Sequence, residues 1–179
     1  EWRNENTRLS NPIGVALDSA GNVYVTDSNN HRVSKFMPTV PAMEYLNQMG
    51  GISHASYRAG NTLYTGIGNR LYLYDLSNPA QPVKVGQTQA FSGTVQSVVV
   101  TGGYAYIASM DGGVVVVDVS VPSAPVFVRE MLTQGNPQAL ALDAASGNLF
   151  VLQNGPGLVS KFDLTNPASP VFDGMHWLN

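Results

Sequence analysis

A nine-residue segment recurs three times and constrains the fold more than any other feature of the sequence. It reads DLSNPAQPV from Asp75, DVSVPSAPV from Asp118 and DLTNPASPV from Asp163, so its copies start 43 and 45 residues apart. Asp, a hydroxyl residue and two prolines keep their places in each copy. A period of 20 to 50 residues indicates a repeat architecture, in which one supersecondary unit is stacked several times.

A second series extends the repeat to four units. GNVYV at Gly21, GNTLY at Gly60, GGYAY at Gly102 and GNLFV at Gly147 step by 39, 42 and 45 residues. The four letters VSKF also occur twice, at 33–36 and 159–162. We therefore divide the chain into units at about 11–49, 50–88, 92–131 and 135–177.

Each unit contains four short apolar runs rich in Val, Ile, Tyr and Phe and bounded by Gly, Asn and Pro, the pattern of β-strands. No window of a dozen residues has a convincing helical stripe. Four strands in about 40 residues are typical of one blade of a β-propeller. The sequence therefore predicts an all-β chain, a single β-propeller region of four blades with four antiparallel strands each.

Composition excludes several classes of partner. Charged residues make up only 12% of the chain and the net charge is -3, with no basic cluster to favour nucleic acid or an anionic membrane surface. No apolar run approaches the roughly 20 residues that span a bilayer, so we expect no membrane insertion. The chain has no cysteine, which excludes disulfides, thiolate metal sites and a Cys nucleophile but leaves the compartment open.

The units resemble two known repeat families. The first, NPIGVALDSAGNVYVTDSNNHRVSKF, resembles an NHL repeat, down to the stretch Asn30–Val33. Units two to four are similar to LVIVD repeats, and GGYAYIASMDGGVVVVDVSVPSAPV matches that pattern nearly throughout, with Val114–Asp118 at the signature position. Units two and four depart from it, with RLYLYD and LVSKFD. The resemblance implies a propeller and leaves the function open, because one fold hosts many functions.

The repeated Asp motif has a structural and a functional interpretation. A carboxylate at the end of a strand can accept backbone N–H groups two residues on, and the two prolines exclude helix before the fourth strand. The alternative is a ring of carboxylates for a metal or a cationic ligand. We favour the structural interpretation, since each Asp belongs to a different blade and follows a third strand, away from the axis.

Ligands of propellers usually bind where loops converge at one end of the axis. Aligning the residues that open each first strand places Ile13, His54, Gln96 and Gln138 in equivalent positions, and three of the four are polar. They could form an axial ring that binds a ligand. They could equally bond buried water or neighbouring loop backbone, as polar groups in a channel must.

The loops between second and third strands supply a second set of candidates, namely Asn30, His31, Asn69, Arg70 and Asp111. These side chains could bind a protein, a peptide, a glycan or an anion. Asn, Asp and Gly are also what tight turns require. His31 in addition belongs to the NHL signature, which favours a structural role for it.

The sequence predicts no catalytic residue, metal site or cofactor. Its three histidines are scattered, and neither H-E-x-x-H nor G-x-S-x-G is present. The leading hypothesis is a non-catalytic interaction or structural module, and the LVIVD resemblance alone implies secretion or a place on a prokaryotic cell surface. The alternative, which the NHL resemblance implies, is a metal-dependent lyase or hydrolase with His54 as an axial ligand.

Both ends of the sequence resemble cuts between blades. We therefore expect a fragment of a larger propeller of about six to eight blades. The other interpretations are a closed ring of four blades and a half-ring that pairs with another copy. An open ring would expose two apolar blade faces and favour self-association through them.

Overall fold

The computed structural model describes residues 9–18, 21–38, 43–50, 53–154 and 157–178. These residues form sixteen strands, with one 3-10 turn at Ser28–Asn30. Blades 1 and 2 consist of β1 (Pro12–Leu17), β2 (Val23–Asp27), β3 (Arg32–Pro38), β4 (Met43–Gly50), β5 (Ser53–Ala59), β6 (Thr62–Ile67), β7 (Arg70–Asp75) and β8 (Val83–Gln87). Blades 3 and 4 consist of β9 (Val95–Thr101), β10 (Tyr104–Ser109), β11 (Gly113–Asp118), β12 (Val126–Met131), β13 (Asn136–Asp143), β14 (Asn148–Asn154), β15 (Leu158–Asp163) and β16 (Val171–Trp177).

Each blade is an antiparallel sheet whose four strands follow one another in the order of the chain. The first strands, β1, β5, β9 and β13, pack side by side in that order and form the inner wall of the propeller. Within the described ranges, β1 and β13 do not pack against each other as the consecutive inner strands do. The predicted all-β propeller of four four-stranded blades is therefore confirmed, and its ring is open between blades 1 and 4.

The core lies between the blades. Tyr24 and Val33 of blade 1 pack with Leu63 of blade 2, and two larger clusters join blade 2 to blade 3 and blade 3 to blade 4. Because blade 3 has a neighbour on both sides, its three inner strands are largely apolar and buried on both faces, including all of Val114–Val117. This double burial explains why its strands are nearly continuous hydrophobic runs.

The repeated Asp motif forms the same turn in blades 2, 3 and 4. Asp75 Oδ1 accepts the N–H and the hydroxyl of Ser77 at 2.8 and 2.7 Å, and Asp118 Oδ1 accepts those of Ser120 at 2.9 and 2.6 Å. Asp163 Oδ1 accepts both groups of Thr165 at 2.7 Å. The predicted turn is confirmed. The hydroxyl bond, with the backbone bond, holds the pKa of all three carboxyls below their ordinary value.

Candidate functional site

The first strands of the four blades open onto one axial cavity of about 280 Å³. It is lined by Ile13–Val15, His54–Ser56, Gln96–Val98, Gln138 and Ala139. The four positions that the sequence alignment made equivalent therefore lie in a single cavity. The other predicted site residues do not line it.

Each of these four residues is the extra residue of a β-bulge. The pairing of β1 with β2 skips Ile13 between Pro12–Asp27 and Gly14–Thr26, and the pairings of β5, β9 and β13 skip His54, Gln96 and Gln138 in the same way. A bulged residue has no partner in the ladder, and the local twist re-aims its side chain. The bulge is thus the local device that turns one side chain from each blade toward the axis.

Neighbouring strands approach closely at the cavity wall. The Gly14 N–H donates to Thr26 Oγ1 at 2.5 Å, and a Cβ on Gly14 would lie 2.9 Å from that oxygen and 3.3 Å from the His54 carbonyl oxygen. Ser97 Oγ accepts the N–H of Leu140 at 3.2 Å and so links blade 3 to blade 4. A side chain at position 14 would therefore press on Thr26 and on the backbone of blade 2.

The cavity presents hydrogen-bonding side chains and no carboxylate. His54 contributes an imidazole, Gln96 and Gln138 contribute carboxamides, and Ser56 contributes a hydroxyl that is buried with no partner among the described residues. Carboxamides both donate and accept, and imidazole offers one of each when neutral. Such a set suits a neutral polar ligand group, such as an amide or a sugar hydroxyl.

The same set is a poor fit for a catalytic metal. Zinc and iron sites in proteins combine several His, Cys or carboxylate ligands, whereas this cavity has one imidazole and no carboxylate. No group of three or more such ligand residues occurs anywhere in the part of the chain that the structure describes.

Asn30 bonds the buried Asp27 in the loop of blade 1, and His31 lies beside it. Asp27 accepts Ser10 N–H at 2.6 Å, Asn30 Nδ2 at 2.7 Å and Arg32 Nε at 2.8 Å. Burial alone would raise the pKa of Asp27, but the bonds from Asn30, Ser10 and Arg32 with the Arg32 charge outweigh it and lower the pKa. His31 ends the 3-10 turn in the left-handed conformation, with φ 53°. Its backbone thus shapes the turn, and its side chain is exposed.

Asn69 and Arg70 hold the segment that leads into blade 3. Asn69 Nδ2 donates to the Phe91 carbonyl at 3.1 Å, and Arg70 Nη1 donates to the Thr88 carbonyl at 2.8 Å. Asp111 is exposed in a left-handed turn, with φ 66°. Of the loop candidates, Asn30, Asn69 and Arg70 therefore have structural bonds.

Sequence reasoning did not single out Ser56 and Ser97. Each follows its bulged residue within two positions and lines the cavity. Continuing the alignment one residue past the bulge would have found Ser97, because the equivalent residues Gly14, Ala55 and Ala139 are also small. Ser56 has no such signal, because Val15, Val98 and Leu140 hold its position in the other blades.

Comparison with known proteins identifies the repeats. Residues 9–36 match the NHL repeat, and residues 59–89 and 92–133 match the LVIVD repeat. The chain is a β-propeller whose first blade matches the NHL repeat and whose second and third blades match the LVIVD repeat. The fourth unit lies outside the matched ranges, and curated proteins give no significant sequence match. The predicted resemblance of this propeller to both families is confirmed.

Solved structures resemble the propeller at low sequence identity. Hydrazine synthase of Kuenenia stuttgartiensis superposes with a TM-score of 0.77 at 12% identity, over 100% of this chain and 53% of that chain. A protein from Lactobacillus plantarum gives 0.78 at 15%, over 92% and 57%. A protein from Bacteroides uniformis named as a 6-phosphogluconolactonase gives 0.81 at 12%, over 97% and 59%. At these identities the similarity shows the fold, and this propeller spans little more than half the length of each of the three chains.

Among the described residues no helix is long and apolar enough to cross a membrane.

Proposed function

We propose that this propeller is a non-catalytic binding module that recognises a neutral polar group of a peptide or a glycan through its axial cavity. The observation that carries the proposal is the convergence of His54, Gln96 and Gln138, each placed at a bulge in a different blade. Three independent blades thus supply polar side chains to one place. Polar residues that served only to form turns would not need to converge on one cavity.

The size of the cavity limits the ligand. Sites for whole small molecules usually measure about 300 to 1,000 Å³, and this cavity of about 280 Å³ lies just below that range. A single sugar ring, or one side chain of a peptide, fits such a volume. The net charge of -3 and a lining without Lys or Arg favour uncharged groups over anions.

The cellular location is part of the same proposal. LVIVD repeats and a low charged fraction of 12% support a place outside the cell or on the surface of a prokaryote. Fractionation of cells that express the complete gene would test it, and recovery of the protein only in the cytoplasm would contradict it.

Binding to immobilised glycan and peptide arrays tests the axial site. We expect that the best ligand binds at least tenfold more weakly to His54→Ala, Gln96→Ala and Gln138→Ala, because each change removes a hydrogen-bonding group from the cavity. Gln81→Ala is the matched control, since Gln81 is exposed on the turn before β8. Unchanged binding by all three cavity variants would contradict the proposal.

A further inference from the structure

Within the part of the chain that the structure describes, one face of blade 1 and one face of blade 4 have no neighbouring blade. On β1, Ala16 packs toward blade 2, so Val15 and Leu17 point the other way, and they are 66% and 58% exposed. On β13, Leu140 and Leu142 pack toward blade 3. The alternate residues Ala139 and Ala141 therefore point the other way, and they are exposed, as is Leu152 on the neighbouring β14. Exposed apolar faces of this kind mark interaction surfaces.

The free face of blade 4 resembles the faces that pack against the next blade elsewhere in the chain. Its Val159–Lys161 repeats Val33–Lys35 of blade 1, where Lys35 is 2% exposed and lies over the Tyr24 ring at 5.4 Å. The side chain of Lys161 is instead 37% exposed. Phe150 takes the ladder position that the buried Tyr24, Tyr64 and Tyr106 occupy in the other blades. The same surface is thus buried in blade 1 and open in blade 4.

The free face of blade 1 resembles the face by which blade 3 packs against the blade before it. Val15 and Leu17 hold the ladder positions of Val98 and Val100 in blade 3. That pair is buried in the cluster between blades 2 and 3. The chain therefore has one free face of each kind, and the two are complementary.

Contacts inside the chain show which positions meet across a blade boundary. The Ser97 hydroxyl bonds Leu140 across blades 3 and 4, and Gly14 lies against Ser56 across blades 1 and 2. Ala139 is the equivalent of Gly14 and Ser97, and Val15 is the equivalent of Ser56 and Leu140. At a boundary between blades 4 and 1, Ala139 would therefore contact Val15.

We propose that two copies of this chain close one ring of eight blades, with blade 4 of each copy packed on blade 1 of the other. A single two-fold axis then covers both free faces of both copies, so the assembly is a closed dimer rather than a filament. Eight blades lie within the range of known propellers. This chain superposes on little more than half of each of three solved chains, as one half of a larger propeller would. The charge of Lys161 on the free face of blade 4 is bridged to Asp173 at 2.6 Å.

Thiol cross-linking tests this pairing, because the chain has no cysteine of its own. In the double variant Leu17→Cys, Ala141→Cys, we expect a short bis-maleimide reagent to give a covalent species of twice the 19.1 kDa chain mass. Neither residue lines the axial cavity, and their equivalents Leu142 and Val99 pack together between blades 3 and 4. The control Leu17→Cys, Val83→Cys should remain uncross-linked, since Val83 lies at the start of an outer strand. A link formed within a single chain, or a ladder of higher multimers, would overturn the closed dimer.

Light scattering of the unmodified chain gives an independent test. We expect a mass of twice 19.1 kDa, reduced to that of one chain by Val15→Asp and by Leu152→Asp. Val83→Asp is the matched control, because Val83 is 59% exposed but off both free faces. Retention of the native circular dichroism spectrum checks that each variant folds. A monomeric parent chain, or a dimer that survives both face variants, would overturn the proposal.

Discussion

At the scale of single residues, the same side chain serves different purposes according to its partners. Asn30, Asn69 and Arg70 are polar loop residues that the sequence offered as ligand contacts, yet each bonds a group of its own chain. The carbonyl partners of Asn69 and Arg70 lie 18 to 22 residues away, a separation that no local pattern reveals. Gln96 and Gln138 looked no different in sequence, but their bulges turn them into the axial cavity.

Tyr106 joins two blades through one hydrogen bond, from its hydroxyl to the Pro167 carbonyl at 2.9 Å. We expect Tyr106→Phe to lower the free energy of unfolding by about 1 kcal/mol, the net worth of such a bond. Urea unfolding at pH 7 measures it, with Tyr72→Phe in blade 2 as the control. A loss no larger than that of the control would contradict a bond between the blades.

The same residue makes a pH-dependent contribution. Burial, with the nearby Tyr104, raises the pKa of Tyr106 to about 12, above the ordinary value near 10. The folded state therefore holds this proton more tightly than the unfolded state does, so stability falls as the pH rises from about 10 to about 12. Urea unfolding across that range should show a smaller decline for Tyr106→Phe than for the parent chain. Equal declines in both proteins would contradict the assignment.

Asp118 tests the repeated turn motif. Its bonds from Ser120 lower its pKa, so the stability it contributes is present above the unfolded pKa and is lost as the pH falls through the lower folded value. We expect Asp118→Ala to lower the melting temperature at pH 7 and to differ less from the parent at pH 3. Asp111→Asn, in an exposed turn of the same blade, is the control. A difference that stays constant with pH would contradict the role of the carboxylate.

At the scale of elements, the repeat period was sufficient to predict the strands, because each unit must bury apolar residues on strands of similar length. The bulge in every first strand could not be predicted. It depends on how each first strand pairs with the second, and the apolar pattern of a run such as QSVVV does not show which residue is skipped. The cavity was thus predicted as a set of aligned positions, and its geometry came only with the structure.

Gly86 shows how the proline-containing segment spaces the blades. A Cβ at this residue of β8 would lie 2.1 Å from the carbonyl oxygen of Pro122, which belongs to the turn of blade 3. Because that contact is with backbone, we expect Gly86→Ala to lower the free energy of unfolding by about 1 to 3 kcal/mol. Gly60→Ala is the control, since Gly60 has no atom within 4 Å and only the strain of φ +57°. Chemical denaturation measures the free energy of unfolding of both variants. A loss for Gly86→Ala no larger than that for Gly60→Ala would contradict close packing of the blades.

At the scale of the molecule, the three boundaries between consecutive blades are buried, whereas the outer faces of blades 1 and 4 are exposed. The sequence predicted exposed faces at the ends, and the structure identifies their residues and shows that each face repeats one that is buried inside the chain. An eight-bladed dimer would surround one axis with two sets of bulged residues. The three polar residues of the axial site come from one chain and are therefore present without this assembly.

The central claim is that the axial cavity, rather than the surrounding loops, binds the ligand. The most direct measurement is a titration of isotope-labelled protein with the best array ligand, followed by NMR of the histidine ring and side-chain amide signals. We predict that the signals of His54, Gln96 and Gln138 shift together and saturate at one ligand per chain. Shifts confined to His31 and Asn69, with His54 unchanged, would contradict the account.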